Sequence, residues 1–117
     1  MGIVYHANYL KWFEIGRTEL FRNLGIVYSE LELSGYFLPL TKSYCHYLSP
    51  AKYDDIIILE TAIANFKRAS IKFEYTLWNE TRETKLVTGC TLHAFTNAES
   101  KIVRAPAKLI HALGNVS

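Results

Sequence analysis

A chain of 117 residues, half of them apolar, amounts to one domain with enough apolar surface to close a single core. The formal net charge is only +2 and no basic run exceeds the Lys67-Arg68 pair, which excludes a nucleic-acid footprint but suits a partner carrying a few phosphates. No run of about 18 apolar residues spans a bilayer, no basic-then-apolar leader opens the chain, and Cys45 and Cys90 lack any paired spacing, so a reduced, cytoplasmic protein is expected.

The first predicted element is a helix over 7–24. At about 100° per residue, Tyr9, Leu10, Trp12, Phe13, Gly16, Leu20, Phe21 and Leu24 fill one half of the wheel, while Asn8, Lys11, Thr18, Glu19 and Arg22 fill much of the other. A face this broad and aromatic suits a sheet wrapped around it better than one partner helix, and Gly25 is a natural stop. A short second helix is expected over 30–33, capped by Ser29 with Glu32 returning the bond and ended by Gly35. From Tyr36 onward the period changes to two. Ile71, Phe73, Tyr75 and Leu77 alternate with Ser70, Lys72, Glu74 and Thr76, the pattern of a half-buried antiparallel strand. Further strands are predicted at 36–48, 55–66 and 85–97, with a short fifth near 101–104 before Pro106. Turn signals lie at Ser49-Pro50, at Lys67-Arg68 and over 79–83. The result is an α+β layer pair, with a sheet edge that calls for one more strand, from ahead of Met1 or from a partner chain.

Three constellations carry chemistry. At the helix start, Val4-Tyr5-His6-Ala7-Asn8, the first N–H groups lack intrahelical acceptors and bear partial positive charge, so a docked carbonyl oxygen is polarised there as in an oxyanion hole. His6 either takes part in proton movement or merely caps the helix. Glu14, two turns on, either pairs with Arg17 at i, i+3 spacing or serves as a carboxylate base or nucleophile. Lys67-Arg68-Ala69-Ser70 is either a solvated turn or a holder of nucleotide phosphates. His46, His93 and His111 lack metal-ligand spacing, and the adjacent Cys45 and His46 face opposite sides of a strand.

Gly2-Ile3-Val4-Tyr5-His6-Ala7-Asn8-Tyr9, followed by Trp12-Phe13-Glu14 and Arg17, resembles the opening of the 4-hydroxybenzoyl-CoA thioesterase-like hot-dog proteins, and most of all the branch of acyl-CoA thioesterases associated with the Tol-Pal envelope system. Ser49-Pro50-Ala51, Tyr53-Asp54-Asp55, Arg68-Ala69-Ser70 and Arg104-Ala105-Pro106 are similar to later landmarks in the same order. The resemblance implies an antiparallel sheet wrapped round one long helix, and homodimers that join two sheets edge to edge, often paired into tetramers. It implies a site between subunits and hydrolysis of an acyl-CoA substrate to free acid and coenzyme A, with no metal and no cofactor. Carried over, His6 supplies the polarising N–H and Glu14 a helix carboxylate near the substrate. Tyr5 and Tyr9 shape the acyl pocket, and Lys67, Arg68 and Ser70 lie towards the coenzyme A phosphates and pantetheine. The family's principal Asp, a few residues before the glycine matching Gly2, and the strand ahead of it have no counterpart in the 117 residues. A start further upstream is the expected explanation. The alternatives are that Glu14 has taken over, or that the chain is an acyl-CoA or acyl-carrier binding module without turnover.

Overall fold

The computed structural model describes residues 6–49 and 56–114, with side chains from Tyr9 onward. Helix α1 (His6–Asn23) lies across a four-stranded antiparallel sheet of β1 (Leu40–Tyr47), β2 (Ile57–Lys67), β3 (Ser70–Asn79) and β4 (Lys85–Ala94), in the order β1-β4-β3-β2. Two short helices complete the chain, α2 (Tyr28–Leu33) between α1 and β1, and α3 (Ala107–Leu113) at the end. This is the α+β helix-on-sheet architecture expected from the sequence.

The helix forms where its apolar residues recur at helical spacing, and it buries Tyr9, Phe13, Gly16 and Phe21 against the sheet. Gly25, at φ 81°, ends it, and the next N–H, that of Ile26, reaches back to the Phe21 carbonyl at 2.9 Å. Only a residue without a Cβ takes that conformation at little cost. The strict alternation in β3 puts Ile71, Phe73, Tyr75 and Leu77 in the core. Register then places Val87, Gly89, Thr91 and His93 of β4 opposite Leu77, Tyr75, Phe73 and Ile71.

Ring contacts set the direction of α1. Phe13 stacks on Tyr75 with centroids 4.2 Å apart, Phe21 meets Phe73 at 5.5 Å, and Tyr9 meets Tyr47 at 5.1 Å. Tyr47 pairs with Val87, and Val87 with Leu77. The helix therefore begins near the Leu77 end of β3 and finishes towards the Ser70 end. Close approach is possible because two contact points are glycines. A Cβ on Gly89 would lie 2.6 Å from the Phe13 ring, and one on Gly16 would run into the Thr61 side chain.

Four local expectations change. The second helix begins at Tyr28, so Ser29 lies inside its first turn. The Val27 carbonyl accepts from the Glu30 and Leu31 N–H groups, and no side chain caps the helix. The fifth strand near 101–104 reduces to one bridge between Thr96 and Ile102, because Pro106 and the start of α3 follow too soon for a ladder. The predicted strand over 36–48 begins only at Leu40, Phe37 making an isolated bridge to Thr96. Helix α3 was not anticipated: Pro106 before it and Gly114 after it bracket seven residues, too few to show a period.

Candidate active site

His6 is the first described residue of helix α1; Tyr5 and the His6 side chain lie outside the described residues, as do Gly2-Ile3-Val4, Pro50-Ala51 and Tyr53-Asp54-Asp55. Tyr9 is only 1% exposed and belongs to the core, its ring against Trp12 and Tyr47, and burial raises the pKa of its hydroxyl.

Glu14 is exposed on the flank of α1 and lines a groove of about 330 Å³ with Arg17, Thr18, Tyr28, Glu32 and Leu38. Leu38 leads into β1, so the groove reaches the segment that enters that edge strand. The expected Glu14–Arg17 pair does not form. Among the described residues the ion pairs are Arg22–Glu19, Arg82–Glu60 and Lys108–Glu30. Arg17 turns inward and donates from Nη1 to the Tyr75 hydroxyl at 3.4 Å.

That contact is the outer end of a buried polar chain. Tyr75 Oη and Thr91 Oγ1 are 2.6 Å apart, Thr91 Oγ1 and His93 Nε2 2.9 Å, and His93 Nδ1 and the Leu38 carbonyl 3.0 Å. A carbonyl only accepts, so Nδ1 carries the proton. Burial lowers the His93 pKa to about 4, and the ring is neutral at physiological pH. Nε2 therefore accepts from Thr91, which accepts from Tyr75, which accepts from Arg17. Burial also raises the Tyr75 pKa, despite its bonds to Thr91 and Arg17, and keeps its proton in place. Little in the residue pattern marks this chain. Its members sit at inward positions of alternating strands, where Thr, Tyr and His read as ordinary core residues until the register is known.

Lys67 and Arg68 are exposed at the β2–β3 turn and Ser70 begins β3, paired with Lys67 across the hairpin. The turn is strapped down, since Ala105 N–H donates to the Arg68 carbonyl at 2.8 Å and Phe95 N–H to that of Ala69 at 3.0 Å. Those bonds bring Arg104 beside the pair, a neighbour that spacing alone did not reveal. The structure groups Lys67, Arg68 and Ser70 with one another, but not with His6. The turn lies at the Ser70 end of β3 and the start of α1 near its Leu77 end, on the order of 20 Å away at a strand's rise per residue.

Comparison with known proteins places this geometry. Residues 1–86 match the thioesterase superfamily. The chain is 38% identical over 84 residues to the acyl-CoA thioesterase YbgC of Haemophilus influenzae, covering 68% of this chain and 60% of that protein. It is 36% identical over 86 residues to YneP of Bacillus subtilis, covering 74% and 62%. The matched part thus spans about three-fifths of those relatives' lengths. Among solved structures, a protein of Aquifex aeolicus superposes with a TM-score of 0.88 at 30% identity, over 96% of this chain and 86% of that one. The DHNA-CoA thioesterase of Staphylococcus aureus gives 0.89 at 26% identity, over 97% and 78%. With its long helix laid across an antiparallel sheet, the chain has the hot-dog fold and belongs to the thioesterase superfamily.

Proposed function

We propose that this chain hydrolyses an acyl-CoA thioester to a free acid and coenzyme A, from sites shared between two copies. The superfamily match carries the reading, because it contains His6, Glu14, Lys67, Arg68 and Ser70 together. The backbone N–H groups at the start of α1 polarise the thioester carbonyl and stabilise the oxyanion that develops on it. Glu14 takes a proton from water as the water oxygen bonds to the carbonyl carbon. Collapse of the tetrahedral intermediate breaks the C–S bond, and the proton passes to the departing sulfur. No metal or cofactor enters the scheme. Tyr5 and Tyr9 back the acyl pocket, while Lys67, Arg68 and Ser70 hold the phosphate and pantetheine end.

The distance between the two halves within one chain supports a dimer. A ligand that touches both the helix start and the basic turn takes one from each copy. The pairing edge is β1, next to the Glu14 groove, where Leu40 is 49% and Tyr44 61% exposed. Cys45 and Cys90 are both free, as suits the reducing cytoplasm, where we place the protein. Release of coenzyme A thiol from short-chain, long-chain and aromatic acyl-CoAs tests the activity, and native mass measurement tests the dimer and any tetramer. Tight binding of acyl-CoA with the thioester intact after hours would replace the enzyme with a binding module.

A further inference from the structure

Glu14 and Arg17 stand at i, i+3 on one helix, a spacing at which opposite charges ordinarily pair. They do not pair, and the reason is structural. The guanidinium is engaged by Tyr75, whose oxygen is fixed by Thr91, which is fixed in turn by His93 and the Leu38 carbonyl. Tyr75, Thr91 and His93 are 1%, 1% and 2% exposed, so none of them can swing to a solvent partner. Every donor in the chain has one acceptor open to it, and the last is a backbone carbonyl that cannot reverse the order. The ring of Tyr75 is held as well, stacked flat on Phe13. A core built only for packing would need no hydroxyl there, since a polar group is costly to bury and stabilises little even when satisfied.

We propose that Tyr75, backed by Thr91 and His93, is a positioning residue that draws Arg17 off Glu14 and so leaves the carboxylate free to act on water. The inference rests on the reading of Glu14 as the base. It adds the device that keeps the base unpaired, and ties that device through Leu38 to the segment entering β1, the edge assigned to the second copy. The groups that share the groove with Glu14 are Arg17 on its own helix, Tyr28 and Glu32 on α2, and Tyr36 beyond it, with Lys11 one turn back on α1 at i, i+3 spacing. Arg17 is the one cation among them with buried hydroxyls to turn to, that of Tyr75 and, in the same groove, that of Tyr28.

Tyr75→Phe keeps the stacked ring and removes only the oxygen. The guanidinium, left with the Tyr28 hydroxyl as its one buried partner, should then reach Glu14, and more fully when Tyr28→Phe is added. In kcat/KM against pH, the acid limb that Glu14→Gln abolishes should move to lower pH in Tyr75→Phe, because a nearby guanidinium favours the charged carboxylate, and kcat should fall. In the Tyr75→Phe/Arg17→Met double variant, the limb should sit where it does in Arg17→Met alone. Loss of packing would lower kcat without moving the limb, and that result overturns the proposal.

A second measurement does not depend on turnover. The Arg17 side-chain Nε–H resonance in the full chain should be insensitive to Glu14→Gln in the wild-type background and should shift on the same change in Tyr75→Phe. Equal responses in both backgrounds overturn the proposal. A chain that never turns over, or a limb that survives Glu14→Gln, instead removes Glu14 as the base while the resonance still reports whether Arg17 is diverted.

Discussion

His93 is a neutral imidazole in a place where charge is expensive. Its folded pKa, lowered to about 4 by burial, lies well below the 6.5 it has in an unfolded chain. Below pH 6.5 the unfolded chain takes up a proton that the folded one refuses, so acid favours unfolding. The stability is complete above pH 6.5 and is lost as pH falls from there to about 4, by about 3 kcal/mol in total. Urea unfolding at pH 7, 5.5 and 4.5 should show this decline, and His93→Gln, already weaker at pH 7, should show a flatter one. At the same scale, the proposed mechanism uses the backbone N–H of His6 and not its ring. His6→Ala should therefore lower kcat less than tenfold, against the 10²–10⁴-fold expected for loss of a general base.

At the scale of elements, the seat of α1 on the sheet depends on the absence of two side chains. In Gly89→Ala the new methyl would meet both the Phe13 ring at 2.6 Å and the Tyr44 carbonyl at 2.7 Å. Phe13 is fully buried and stacked on Tyr75, so it has nowhere to yield. The variant should lose about 1–3 kcal/mol, read as a lower denaturation midpoint with unchanged slope. Elements were also where the sequence was most readable. The apolar stripe of α1 and the alternation from Ile71 to Leu77 each extend over enough residues for the period to declare itself. Short pieces did not. Ser29 has the right residue type for a cap but lies two residues past the cap position at Val27, and α3 is too short to separate from a loop. The candidate site was legible only in part. Glu14 and the basic turn were visible as residue types, but which of them meet depends on strand register and on the direction in which α1 crosses it. The same limit hid the capture of Arg17 by Tyr75, 58 residues away.

The whole molecule is more elongated than a solitary compact domain of its length. Its radius of gyration is 15.4 Å, against ~13 Å expected for 117 residues packed as one compact monomer. The principal extents are 44 × 26 × 23 Å, and both edge strands of the sheet, β1 and β2, are unpaired on one side among the described residues. A second copy on β1 would satisfy that edge and bring a basic turn to each helix start. Tyr44→Lys, a charge placed on this edge, should shift the assembly towards single chains on sedimentation. It should also lower kcat/KM in proportion to the dimer lost while leaving the fold intact by circular dichroism.

Thiol release from acyl-CoA by the purified chain, set beside Glu14→Gln of matched stability, tests the central claim most directly. The account predicts measurable turnover by the wild-type chain and a drop of about a hundredfold or more in kcat for the variant, with KM little changed. Acyl-CoA held by the chain with its thioester intact, or equal turnover by both proteins, would contradict it.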